Sequence, residues 1–131
     1  MIGETDETMT TPATLQDQIE EAMRQFGEGN RWDCVFLFSS EGFKMASEGV
    51  SLIYDQDALL EFSFSQIEAV KLLGDNPPVK EVLILGKERH RLIFRYFEGL
   101  GENLILTAVV SGRKGYRRAM ANLIRFIQNL R

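Results

Sequence analysis

The apolar residues Leu15, Ile19, Ala22, Met23 and Phe26 recur at steps of four, three, one and three. That spacing puts them on one side of an α-helix. Thr11 followed by Pro12 predicts the helix start, a hydroxyl cap with proline in the first turn, and Gly27 and Gly29 predict its end. The run WDCVFLFS at 32–39 is almost continuously apolar, with aromatic and β-branched members, and predicts a buried strand. Ser40-Glu41-Gly42 reads as a tight turn and FKMAS at 43–47 as a second strand, completing a hairpin.

The next segment breaks the pattern. Asp55 can cap a helix running to about Leu73, with Asp57 and Glu61 near its positive end. Its apolar positions, Leu59, Leu60, Phe62, Phe64, Ile67, Val70, Leu72 and Leu73, spread over more than half the circumference. A helix apolar on two faces must bury both. A small domain has one core to offer, so the second face is a candidate interface. Gly74 and the DNPP that follows stop the helix.

VKEVLIL at 79–85 predicts a third strand, GKERH a turn, RHRLIFRYF at 89–97 a fourth strand, and EGLGEN another turn. LILTAVV at 104–110 predicts a fifth strand buried on both faces. After Ser111-Gly112 comes a last helix over about 113–130, with Tyr116, Met120, Leu123, Ile124, Ile127 and Leu130 as its stripe. Arg113, Lys114, Arg117, Arg118 and Arg125 lie on its other faces. The order α-β-β-α-β-β-β-α, with two hairpin steps, implies an α/β fold of the α+β kind around a five-stranded, mainly antiparallel sheet.

Composition adds bounds. At 131 residues, 44% hydrophobic and 26% charged, the chain has material for one core. Residues 12–131 form that single domain, and residues 1–11, rich in threonine and acid, are expected to be a flexible acidic tail. One cysteine, Cys34, and one histidine, His90, exclude an intrachain disulfide and the usual Cys/His zinc sites. The acidic N-terminus is not a secretory signal, and no apolar run is long enough to span a bilayer. The expectation is therefore a cytoplasmic protein with no membrane insertion.

Net charge is −4, unevenly distributed. Residues 1–30 hold seven acids and one base, 31–86 nine and four, and 87–131 three and ten. A basic last third raises the question of nucleic acid. The domain as a whole is acidic, however, and the basic segment lacks interleaved exposed aromatics. Nucleic acid is not the expected partner, and the arginines read as solvated faces of a strand and a helix.

No residue set reaches the requirements of catalysis. His90, in a strand beside a charged turn, reads as a surface residue with no nucleophile to serve. Cys34 lies inside an apolar strand, where a thiol behaves as a small hydrophobe. GKER at 86–89 lacks the glycine spacing and the hydroxyl of a phosphate loop. SGRKG at 111–115 opens a helix after a strand, where free amides favour an anion, although basic residues at a helix start are equally a solvated end. DQD at 55–57 lacks the glycine and closing glutamate of a calcium loop. No catalytic residue, metal or cofactor is expected; the chain reads as a binder and not an enzyme.

Three segments together resemble the roadblock/dynein light chain family over roughly residues 12–130. They are WDCVFLFSSEGFKMAS after the first helix, the long helix before VKEVLIL, and LILTAVVSGRKGYRRAMANLIRFI at the C-terminus. In place of the glycine often seen before the first apolar run stand Trp32-Asp33-Cys34, and the 87–103 hairpin is rich in arginine and aromatics. The resemblance implies a three-layer sandwich. It also implies homodimers or heterodimers that pair third strands edge to edge, with second helices beside the seam.

That would bury Leu59, Leu60, Phe62, Phe64, Ile67, Val82 and Ile84 in a dimer interface. Bacterial and archaeal members are similar to the gliding-motility protein that regulates a Ras-like GTPase, so a small GTPase is the implied partner. Arg113, Lys114, Arg117 and Arg118 would be partner-facing basic residues. None sits in a recognisable finger loop, which points to regulation or scaffolding by positioning. The alternative is a small-ligand sensor domain of related α/β architecture, which requires an apolar pocket with a few convergent polar groups.

Overall fold

The computed structural model describes residues 14–29, 31–74 and 79–130. The acidic tail and the Thr11-Pro12 helix start lie outside the described residues. Helix α1 spans Leu15–Phe26, and its cap is Thr14, not Thr11. The Thr14 hydroxyl accepts from the Asp17 amide at 3.0 Å, and the Asp17 carboxylate accepts from the Thr14 amide at 3.4 Å. Asp17, three residues on, can reciprocate only with Thr14, and that reciprocity decides the start.

Strands β1 (Cys34–Ser39) and β2 (Lys44–Gly49) form the first hairpin. Trp32, expected in β1, is buried just outside the ladder. Its indole packs under Gly27, where a Cβ would come within 2.5 Å of Nε1. In β2 the pairing steps from Leu37↔Ala46 to Phe38↔Lys44, leaving Met45 as the extra residue of a bulge.

Helix α2 (Gln56–Lys71) has the expected Asp55 cap, whose carboxylate accepts from the amides of Asp57 and Ala58. Strands β3 (Glu81–Leu85), β4 (Arg91–Gly99) and β5 (Glu102–Val110) follow, and α3 spans Arg117–Gln128. The β4–β5 turn is tighter than the sequence suggests. Leu100 and Gly101 both have positive φ, 55° and 79°, a two-residue turn that matches strand twist and lets pairing run to Gly99↔Glu102.

All four pairings are antiparallel, in the order β2-β1-β5-β4-β3. Alternation assigns the faces. Val35, Leu37, Ile93, Leu104, Leu106, Ala108 and Val110 turn toward α1 and α3, whose stripes Ile19, Ala22, Met23 and Met120, Leu123, Ile127 close the larger core. Cys34, Phe36, Phe38, Leu92, Phe94, Ile105 and Val109 turn the other way and meet Leu59 and Ile67 of α2. The result is three layers with β5 buried on both faces.

Cys34 is fully buried, and burial together with the neighbouring Asp33 charge pushes its thiol from 9.0 up to about 12. The native chain should therefore resist a thiol reagent at pH 8 and react only after denaturation. Because the folded value is the raised one, the stability from keeping this thiol neutral is complete below pH 9.0 and declines toward about pH 12. A denaturation midpoint that rises with pH across that window would contradict the assignment.

Candidate functional site

Two surfaces concentrate unused chemistry, and both flank the β3 edge. The first lies on the α2 side. Leu59, Ser63 and Ile67, four residues apart, point down onto the sheet, and Ser63 shares a buried 3.0 Å hydroxyl hydrogen bond with Thr107 of β5. Two small side chains there let the helix sit close over the sheet centre.

Phe62 and Phe64 project to opposite flanks. The Phe62 ring lies 5.5 Å from that of Phe94 on β4, on the β3 side. Phe64 lies against the β1–β2 turn, where Gly42 (φ 92°) leaves room for its ring. The outermost face carries Asp57, Glu61, Ser65 and Glu68, all exposed.

This sorts the residues that the sequence placed in one surplus face. Leu59 and Ile67 belong to the chain's own core. Leu60 packs against that core, and Phe64 is on the flank away from β3. Phe62, at 40% exposure, together with the half-buried Val82 and Ile84 of β3, forms an apolar strip along the free edge. A one-dimensional stripe could not separate these sets, because all of the positions are apolar.

The second surface lies on the α1/α3 side. Leu83 and Leu85 of β3 face that way and are 40% and 74% exposed, because neither helix reaches over the last strand. An open cleft of about 840 Å³ runs from the C-terminal end of α1 across the first turn of α3 to Leu83. Arg31, Arg91, Arg117 and Arg118 line it, with Glu28 the one carboxylate among its described lining residues.

Tyr116 anchors this surface. The guanidinium groups of Arg91 and Arg117 each lie over its ring, 5.4 and 5.3 Å from the centroid. Its hydroxyl donates to Glu81 at 3.3 Å, and Glu81 also pairs with Arg95 at 3.3 Å and Arg117 at 3.7 Å. Burial, then the Glu81 charge, raises the Tyr116 phenol. Arg91 donates to the Gly112 and Lys114 carbonyls at 3.0 and 2.7 Å, which fixes its orientation without neutralising it.

Arg113 and Lys114, expected on the last helix, sit in the loop before it. Gly112, at φ 69°, and Gly115 delay the helix to Arg117. Only Arg117 and Arg118 of the expected basic set reach the cleft; Arg31 and Arg91 complete it, and nothing in their local sequence marks them.

His90 is a further correction. It is buried, not on the surface, and its Nε2 shares a 2.8 Å hydrogen bond with the Tyr54 hydroxyl. Gly86 makes the room, since any Cβ there would collide with the ring. The pair ties the loop before α2 to the β3–β4 hairpin. Among the described residues, no group of three or more His, Cys, Asp or Glu could hold a metal, and no helix is long and apolar enough to cross a membrane.

The architecture matches solved structures closely. Myxococcus xanthus MglB superposes with a TM-score of 0.64 at 17% identity, over 86% of this chain and 97% of that one. The gliding protein MglB of Thermus thermophilus gives 0.67 at 15%, over 92% and 96%. A Roadblock/LC7 domain from Streptomyces avermitilis gives 0.58 at 17%, over 85% and 92%. The chain has the roadblock fold. No protein-family profile and no curated protein matches its sequence, so the likeness is carried by structure. Within the roadblock fold, β3 is the strand left with a free edge beside the second helix, where the family resemblance expects a seam.

Proposed function

We propose that this chain is a non-catalytic, homodimeric interaction module that regulates or scaffolds a small Ras-like GTPase. The observation that carries the reading is the apolar strip of Phe62, Val82 and Ile84 beside the unpaired edge of β3, in a fold shared with MglB. An exposed strand edge flanked by apolar side chains invites pairing with another chain. Pairing two copies through β3 would join two sheets and bury both strips. The GTPase would bind the surface that the dimer creates. In this reading the GTPase is regulated by ordering of its own residues and not by a donated arginine.

The test is a pull-down of a small Ras-like GTPase of the same organism, loaded with GDP or a non-hydrolysable GTP analogue. The expected result is retention of the GTPase by the full chain, with preference for one nucleotide state. Equal absence of binding in both states, with the chain folded and dimeric, would remove the GTPase from the proposal while leaving the dimer.

A further inference from the structure

The cleft on the α1/α3 face is a local reversal of the molecule's charge. The chain carries −4 overall, yet four arginines from three separate segments line this one concavity against a single glutamate. The side chains of Arg31 and Arg118 have no partner among the described residues. Arg91 is held by neutral carbonyls and the Tyr116 ring, with no carboxylate on it, and Arg117 shares Glu81 with Arg95 and Tyr116. The first turn of α3 contains no acidic residue and its start has no side-chain cap. Cations at that end oppose the helix dipole, so the arrangement is unfavourable until an anion arrives. Uncompensated like charges around one cleft are a poor choice for stability and a good one for recognition.

We infer that this cleft docks an acidic segment of a partner protein, a stretch of aspartate and glutamate carrying an apolar side chain. Three features select that ligand. The arginines suit carboxylates, which they hold through paired N–H donors. The apolar floor of Phe26, Leu83 and Ala119 suits a hydrocarbon side chain between the acids. A volume of about 840 Å³, open along its length, is far more than a lone phosphate fills and leaves room for an extended segment. Nucleic acid fits less well. The one aromatic at the centre, Tyr116, has guanidinium groups over its ring and offers no open platform for a base. The inference rests on this cleft and not on the apolar strip of Phe62, Val82 and Ile84, which lies on the opposite side of the sheet.

The experiment uses the full chain and a fluorescein-labelled Glu-Glu-Leu-Glu-Glu-Phe-Glu-Glu peptide, read by anisotropy at low salt. Binding is expected, weakening by about tenfold or more as salt rises from roughly 50 to 300 mM. Arg31→Glu/Arg118→Glu changes two exposed, unpaired side chains and should leave the circular dichroism spectrum and melting unchanged while weakening binding at least about tenfold. Arg31→Lys/Arg118→Lys keeps the charge and loses the paired donors, so it should weaken binding measurably but less than the charge reversal. No binding at low salt would overturn the inference, as would unchanged affinity in the charge-reversed variant. An oligothymidylate or inorganic phosphate that displaces the peptide at equal concentration would also overturn it, marking the cleft as a general anion patch.

Discussion

Ile84→Glu is expected to yield a folded monomer. Ile84 stands at the outer strand of the sheet, half-buried, on the α2 side and paired with Leu92 of β4. In a single chain the new carboxylate can reach water past the free edge, so the fold tolerates it. Across a β3–β3 seam the same carboxylate would be enclosed against another copy bearing the same new charge. Unpaired charge at a closed interface costs about 2–5 kcal/mol. That corresponds to a dimer dissociation constant raised by roughly 30-fold to a few thousandfold.

Sedimentation or light scattering at micromolar concentration reads the mass, and circular dichroism reads the fold. Phe64→Glu is the comparison. It adds the same charge on the far flank of α2, beside Gly42, and should leave the mass unchanged. A native chain that is monomeric at tens of micromolar would sink the seam outright. A dimeric Ile84→Glu would show that copies meet elsewhere.

How much of this is legible in the sequence depends on the kind of signal each feature sends. Strong periodicity is decisive. The stripes of α1 and α3 and the continuous apolar run of β5 locate their elements and their burial, because one face of each helix packs against one core and β5 lies between two. Boundaries move where a local contact outside the pattern wins. Thr14 replaces Thr11 through its exchange with Asp17, and Gly112 and Gly115 shorten α3, taking Arg113 and Lys114 off the helix.

Helix α2 reads from sequence as two-faced, and it is; which of its residues are free does not read out. Leu59 and Phe62 are both large and apolar, and only the position of the sheet beneath them assigns one to the core and the other to the edge. The arginine cleft is half visible. Arg117 and Arg118 stand in a basic run, whereas Arg31 follows the α1 helix and Arg91 opens β4. Their convergence is a property of the antiparallel order and of helices that stop short of β3, which no local window contains.

The sharpest check on that sorting of α2 is Leu59→Ala, expected to lower the stability of the chain by about 2–5 kcal/mol. Leu59 is 2% exposed and clusters with Phe36, Leu92, Phe94 and Val109, across three strands. Removing its branch opens a void that β1, β5 and β4 cannot close, because all three are held by ladders on both sides. The smaller core under α2 has only Leu59 and Ile67 as buried apolar anchors from the helix, so losing one removes much of what ties α2 to the sheet.

Urea unfolding at several protein concentrations separates this effect from self-association, which alone would make the midpoint depend on concentration. The expected pattern is a lower midpoint at every concentration for Leu59→Ala, with the mass of the folded species unchanged. Had Leu59 belonged to the surface between copies, the substitution would instead leave the midpoint of the dilute monomer untouched and weaken only its pairing. That opposite result would return Leu59 to the interface, and the fold would then have to hold α2 by other contacts.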